Sequence, residues 1–348
     1  MSALCGKTQF ISDLKVGDPV NTVFMVTELQ QRQGKNGQPY LDVKLSDRTG
    51  EINLKLWNYT GGADRAMGPG SFIRLSGVTV TEFGGRLQVA MDWSVFLRAS
   101  SVVDEAQVCP GDFVSATDKS IDEMWGVLMD AIASVQRRPV RCLLESFFHD
   151  PEFAGTFRTW PAAVRHHHSY CGGLLEHTVG VLQLCILAAS QYHNVDRDFL
   201  IAGALLHDVG KLSSYVYDRT KGITSMSLQG VAADHLVLGA DQVACRIRSL
   251  VDGCPNKASC DSGCWDQRMA LYMQHLIVSH HGTKEWGSPV EPATIEACIL
   301  HFADNMDAQV NKFERFLKEP AADWDGDYRW CESLGRSVWS ILRHTVKP

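Results

Sequence analysis

The sequence is short of positive charge: 33 Lys and Arg stand against 40 Asp and Glu, a formal net charge of −7. That balance excludes a protein that coats nucleic acid with its whole surface, although it leaves room for a local basic track. No apolar run approaches the roughly 18 residues that cross a bilayer, so no membrane is expected as a partner. The opening MSALCGKTQF also lacks the basic-then-apolar pattern of a secretory signal, and the expected compartment is the cytoplasm. There is no internal repeat and no low-complexity tract, which sets aside solenoids and disordered tails. Eleven cysteines are scattered through 348 residues, without the density of a secreted disulfide framework. Cys254, Cys260 and Cys264 follow a C-x5-C-x3-C spacing, a poor match to the paired cysteines of structural zinc, and this stretch reads as a reduced surface loop.

What is present is a globular composition, 45% hydrophobic and 21% charged, at a length that suits two domains. Residues 1–100 hold 11 Lys and Arg against 9 Asp and Glu, so the front carries +2 and the remainder −9. VNTVFMVTEL, YLDVKLSD, EINLKLWN, SFIRLSGVTVTEF and RLQVAMDWSVF alternate apolar and polar residues between turn signals, the pattern of five short strands. Over residues 8–98 this order resembles the OB-fold, an all-β barrel that binds nucleic acid through aromatic faces beside cations. Trp57, Phe83, Lys55 and Arg86 are the candidate contacts. Residues 99–160 read as a linker and connecting helices, with Ser120 and Glu123 marking a helix start. Residues 161–318 read as an all-α bundle, and 319–348 as a helical extension.

The chemistry concentrates in the bundle. ALLHDVGKL places His207 beside Asp208, an imidazole nitrogen next to a carboxylate able to bridge two ions, with Lys211 one turn on and available to a phosphate. LLEHTVGV carries His177, DHLVLGA carries His235, VSHHG carries His280 and His281, and ILHFADNMDA carries Asp304. Each sits in an amphipathic helical stretch, and helices of one bundle can converge their inward side chains on one or two ions. Asp304 lies between Phe302 and Met306, and an acid on an apolar face needs a partner.

GGLLEHTVGV, GALLHDVGKL, VSHHG and LHFADNMDAQV resemble the HD-domain metal-dependent phosphohydrolases. Among these the chain is most similar in pattern to the YhaM-type 3′-to-5′ exoribonucleases, which join an OB-fold to an HD domain, and the resemblance covers nearly the whole length. It implies that His177, His207, Asp208 and Asp304 bind one ion, and that His235, His280 and His281 bind a second with Asp208 bridging. It also implies that the pair His167 and His168, in RHHHSY, touches the scissile phosphate or the terminal nucleotide. The implied reaction is metal-dependent release of 5′-mononucleotides from single-stranded RNA, with single-stranded DNA as the alternative substrate. Mixed imidazole and carboxylate ligands favour Mn²⁺, then Fe²⁺ or Co²⁺, over Mg²⁺. Competing readings are a cyclic-dinucleotide phosphodiesterase, for which GTKEWGSPVEP lacks the expected motif, a deoxynucleotide triphosphohydrolase, and a single-strand-binding module with an inactive HD domain.

Overall fold

Alternating burial drives the front of the chain into strands. In Gly50–Trp57, Ile52, Leu54 and Leu56 point inward while Lys55 and Trp57 point out. The computed structural model describes residues 7–34, 37–62, 67–164, 168–218, 221–253, 265–318 and 327–339. His167, Cys254, Cys260 and Cys264 lie outside the described residues. The chain divides into two compact units, residues 1–116 with 218–223 and 320–327, and residues 117–217 with 224–319 and 328–348.

The first unit is built on β1 (Pro19–Gln33), β2 (Pro39–Asp47), β3 (Gly50–Trp57), β4 (Phe72–Phe83) and β5 (Arg86–Asp92). Their order is β1-β2-β3-β5-β4, and β4 pairs back to β1, which closes the sheet into an OB barrel. β1 serves both β4 and β2, with register shifts at Val20/Asn21 and Val26/Glu28 that let one long strand curl. Phe24, Val43, Leu45, Leu54, Leu75 and Val89 fill the interior. The fifth strand ends earlier than its sequence pattern suggests, because Trp93–Ala99 forms helix α1, burying Trp93 and Phe96 on one face. A sixth strand, β6 (Ser100–Val103), then pairs with β4, so the barrel unit runs past residue 98.

The second unit contains α2 (Ile121–Ser134), α3 (Arg138–Phe148), α4 (Pro151–Phe157), α5 (Gly173–Gln191), α6 (Arg197–Leu206), α7 (Lys211–Ser214), α8 (Leu228–Asp252), α9 (Gln267–Ser279) and α10 (Ile295–Lys318). Ser120 caps α2 through the Glu123 amide, as the sequence suggests. The stretch read as a linker and connecting helices, 99–160, holds α2, α3 and α4, whose Leu128, Leu143 and Phe148 share one core with Leu174, Leu205, Leu276 and Leu300. Among the described residues α5 alone is long and apolar enough to cross a membrane, and it is the helix that carries His177 into that core.

Two hairpins interrupt the all-α expectation. β7 (Tyr215–Asp218) pairs with β8 (Ile223–Met226), and β9 (Tyr328–Cys331) pairs with β10 (Arg336–Trp339). The second of these stands where a helical extension was expected. Its alternation buries Cys331 and Val338 and leaves Tyr328, Trp330 and Trp339 outside, a period of two that a helix cannot use.

Candidate metal centre

Five segments of the bundle converge on Asp208. His177 lies inside α5, while His207 caps the C-terminus of α6 and hands Asp208 to the turn that follows. His235 comes from α8, His280 and His281 from the end of α9, and Asp304 from α10. α6 stops at Leu206 rather than running on through Asp208, which lies in the hydrogen-bonded turn between α6 and α7. Gly210 makes the convergence possible, since a Cβ there would stand 2.0 Å from the carbonyl oxygen of His235.

The Asp208 carboxylate faces two ways. Its Oδ2 lies 3.2 Å from His207 Nε2 and 3.5 Å from His177 Nε2, and its Oδ1 lies 3.5 Å from His235 Nε2 and 3.7 Å from His280 Nε2. His177 Nε2 is also 3.2 Å from His207 Nε2 and 3.1 Å from Asp304 Oδ1. Among the described residues three groups lie close enough to hold an ion: His177, His207 and Asp208; His235, His280 and His281; and His168, His177 and Asp307. Phe302 and Met306 are exposed rather than flanking a buried acid, because Asp304 looks inward from the other side of α10.

The donor set fits a divalent cation. Each of the five imidazoles has Nδ1 on an oxygen: His177 on Asp307 at 2.7 Å, His207 on the Ala204 carbonyl at 2.8 Å and His235 on Asp234 at 2.5 Å. His280 uses the Ile277 carbonyl at 2.7 Å and His281 the Trp286 carbonyl at 2.9 Å. Such partners fix the ring orientation and leave the other nitrogen as a donor to metal. Among the described residues Asp208 Oδ1 and His235 Nε2 are buried with no hydrogen-bond partner, a cost that an ion between them would remove. Burial favours the neutral carboxyl of Asp208, but Lys211 and the surrounding imidazoles outweigh it and hold it well below the usual range. Burial, followed by His281 and His207, keeps His280 well below the usual range and therefore neutral.

Two residues expected to meet a phosphate have other partners. Lys211 is buried with its ammonium 2.6 Å from Asp208 Oδ2. His168 is 2% exposed, with Nδ1 2.9 Å from the Tyr170 hydroxyl and Nε2 3.0 Å from Asp307 Oδ2. Lys211 thus shares Asp208 Oδ2 with His177 and His207, and His168 shares Asp307 with His177. Asp307, which accepts from His177 and His168 together, escaped the sequence reading. Its signals are its place one turn after Asp304 and the helical Gly180, where a Cβ would stand 2.1 Å from Asp307 Oδ1.

The four barrel candidates separate into two places. Trp57 is 41% exposed and packs on Tyr40, ring centroids 4.7 Å apart, but Lys55 beside them is paired with Asp42 at 2.5 Å. Phe83, 77% exposed, pairs with Arg86 at the β4–β5 turn. Trp57 aligns with Asp92, so the two aromatics mark opposite ends of β5, about 20 Å apart at the usual rise per residue.

The helical unit is an HD domain: that family's model matches residues 174–309. An HD domain implies a divalent metal, and the clusters around Asp208 are able to hold one. The chain is 30% identical to the 3′-5′ exoribonuclease YhaM of Listeria innocua serovar 6a over 311 residues, covering 88% of this chain and 90% of that one. With the YhaM of Bacillus subtilis strain 168 it shares 29%, covering 87% and 89%. Among solved structures, the OB domain of Ta0387 from Thermoplasma acidophilum aligns over 32% of this chain and 91% of that one, at 13% identity and a TM-score of 0.21. The chain belongs to the YhaM family of 3′-5′ exoribonucleases, and it is a hydrolase.

Proposed function

We propose that this enzyme uses divalent metal to remove nucleotides from the 3′ end of single-stranded RNA as 5′-mononucleotides, with single-stranded DNA the alternative substrate, in the cytoplasm. The observation that carries the reading is the split of Asp208 between two histidine groups, Oδ2 toward His177 and His207 and Oδ1 toward His235 and His280. In this reading His177, His207, Asp208 and Asp304 hold one ion, and His235, His280 and His281 share Asp208 to hold a second. Mixed nitrogen and oxygen donors favour Mn²⁺, with Fe²⁺ or Co²⁺ next. Bound ions of this kind supply a nucleophile at neutral pH and neutralise charge on the phosphorus oxygens. The chain's own contribution is position. Oxygen partners on every Nδ1 hold the five imidazoles as oriented donors, and Lys211 holds the Asp208 carboxylate ionised and in place. On the barrel, Trp57 with Tyr40 and Phe83 with Arg86 offer stacking faces to the strand that feeds the centre.

The test is a single-stranded RNA labelled at its 5′ end, incubated with the full-length protein and Mn²⁺. The expected products are a ladder that shortens from the 3′ end, released nucleotides carrying a 5′-phosphate, and no reaction in excess chelator. Internal cuts, release from the 5′ end, or hydrolysis confined to free nucleoside triphosphates or cyclic dinucleotides would overturn it.

A further inference from the structure

We infer that Asp307 is a positioning residue that sets which nitrogen of His177 faces the metal, and that Gly180 is present to admit it; this rests on the metal reading above. Asp304 and Asp307 are one turn apart on α10 and address opposite nitrogens of the same buried ring. Asp304 Oδ1 is 3.1 Å from Nε2, and Asp307 Oδ2 is 2.7 Å from Nδ1. A carboxylate only accepts, so Asp307 requires the hydrogen on Nδ1 and makes Nε2, which faces Asp304, His207 and Asp208, the nitrogen that would take the ion once its proton is displaced. Asp307 is itself held: His168 Nε2 donates to the same Oδ2 at 3.0 Å, and the backbone amide of His168 donates to Asn311 Oδ1 at 3.2 Å. His168, the residue expected at the phosphate, thus acts two steps from the ion.

Gly180 supplies an independent line. It follows His177 by three residues on α5, and an added Cβ would meet Asp307 Oδ1 at 2.1 Å and Cγ at 2.9 Å. A glycine in a helix interior costs about 1 kcal/mol relative to alanine, so a reason for it is needed, and room for Asp307 is that reason.

The test is Mn²⁺ titration of full-length wild type, Asp307→Asn, Gly180→Ala and His168→Gln by calorimetry, with hydrolysis at saturating Mn²⁺ measured alongside. An amide can offer N–H to Nδ1 and so favour the hydrogen on Nε2, the nitrogen that would face the ion, which opposes metal binding. Asp307→Asn and Gly180→Ala are each expected to weaken Mn²⁺ binding by about 10- to 100-fold, with kcat near wild type once metal saturates. His168→Gln should move in the same direction by less. Wild-type binding with unchanged affinity in all three variants would overturn this inference alone. A wild type that binds no Mn²⁺ would overturn the metal reading with it. If Asp307→Asn folds poorly, Gly180→Ala and His168→Gln still decide the matter.

Discussion

Asp234 Oδ1 stands 2.5 Å from Nδ1 of His235, its own neighbour in the chain. It reaches there from a backbone at φ 57°, ψ 162°, at a kink near the start of α8, a conformation that costs a non-glycine residue roughly 1 to 3 kcal/mol and that collects at functional sites. Burial works against the ionised form, yet the His235 hydrogen bond dominates and lowers the Asp234 pKa to about 2. The carboxylate thus stays ionised and keeps the His235 ring aimed at Asp208.

Asp234→Gly separates the two roles. Glycine accepts the backbone conformation without strain, so the melting temperature should hold or rise, while His235 loses its partner and the second ion binds more weakly. Asp234→Ala should lose both. Metal titration with parallel melting curves checks this, and undiminished affinity for the second ion in Asp234→Gly would contradict it.

The His177 ring gives a pH dependence. Burial alone would lower its pKa, but hydrogen bonds and charge from Asp304 and Asp307 outweigh burial and raise it to about 10, from about 6.5 in an unfolded chain. A pKa raised by folding contributes stability that is fully present below about pH 6.5 and is lost as pH climbs toward 10. Metal-free protein should therefore soften over that window. Binding of Mn²⁺ at neutral pH should expel the proton, which calorimetry in buffers of different ionisation enthalpy detects; binding without proton release would contradict the account.

Gly210 lies 2.0 Å from the His235 carbonyl by its missing Cβ. Gly210→Ala should force α8 away from Asp208 at an overpacking cost of about 1 to 3 kcal/mol, lowering the melting temperature by several degrees and reducing metal occupancy on the His235 side first. Wild-type melting and metal content in this variant would refute the close-approach argument.

On the barrel, Trp57→Ala and Phe83→Ala should each weaken single-strand binding by roughly 1 to 3 kcal/mol. Because they mark opposite ends of β5, their effects should add. Arg86→Ala should lower the salt dependence of binding, whereas Lys55→Ala should change it little, since Asp42 already neutralises that ammonium. Fluorescence titrations at several salt concentrations read both effects.

Much of this candidate centre is legible in the sequence because each residue brought together there carries a local pattern: HD, HH, and single histidines on amphipathic stretches. The barrel strands are legible for the same reason, a period of two bounded by turns. What escapes is set by distance along the chain. Asp307 meets His177 across 130 residues, and nothing local distinguishes it from a solvated acid one turn after Asp304. Lys211 reads as a phosphate contact by residue type and His168 by resemblance, whereas packing alone decides that they are buried against Asp208 and Asp307. The helices of residues 121–157 look like connectors because their apolar faces meet the core of a later segment. The C-terminal hairpin is hidden by its aromatics, whose spacing suits a helix or a strand equally well until Cys331 and Val338 are seen buried together.

The central claim is that Asp208 stands between two ions. Anomalous diffraction at the manganese edge from crystals grown with Mn²⁺ tests it most directly. The account predicts two peaks, one among His177, His207 and Asp304 and one among His235, His280 and His281, each in contact with Asp208. A peak on one side only, with the other side empty at saturating metal, would contradict it.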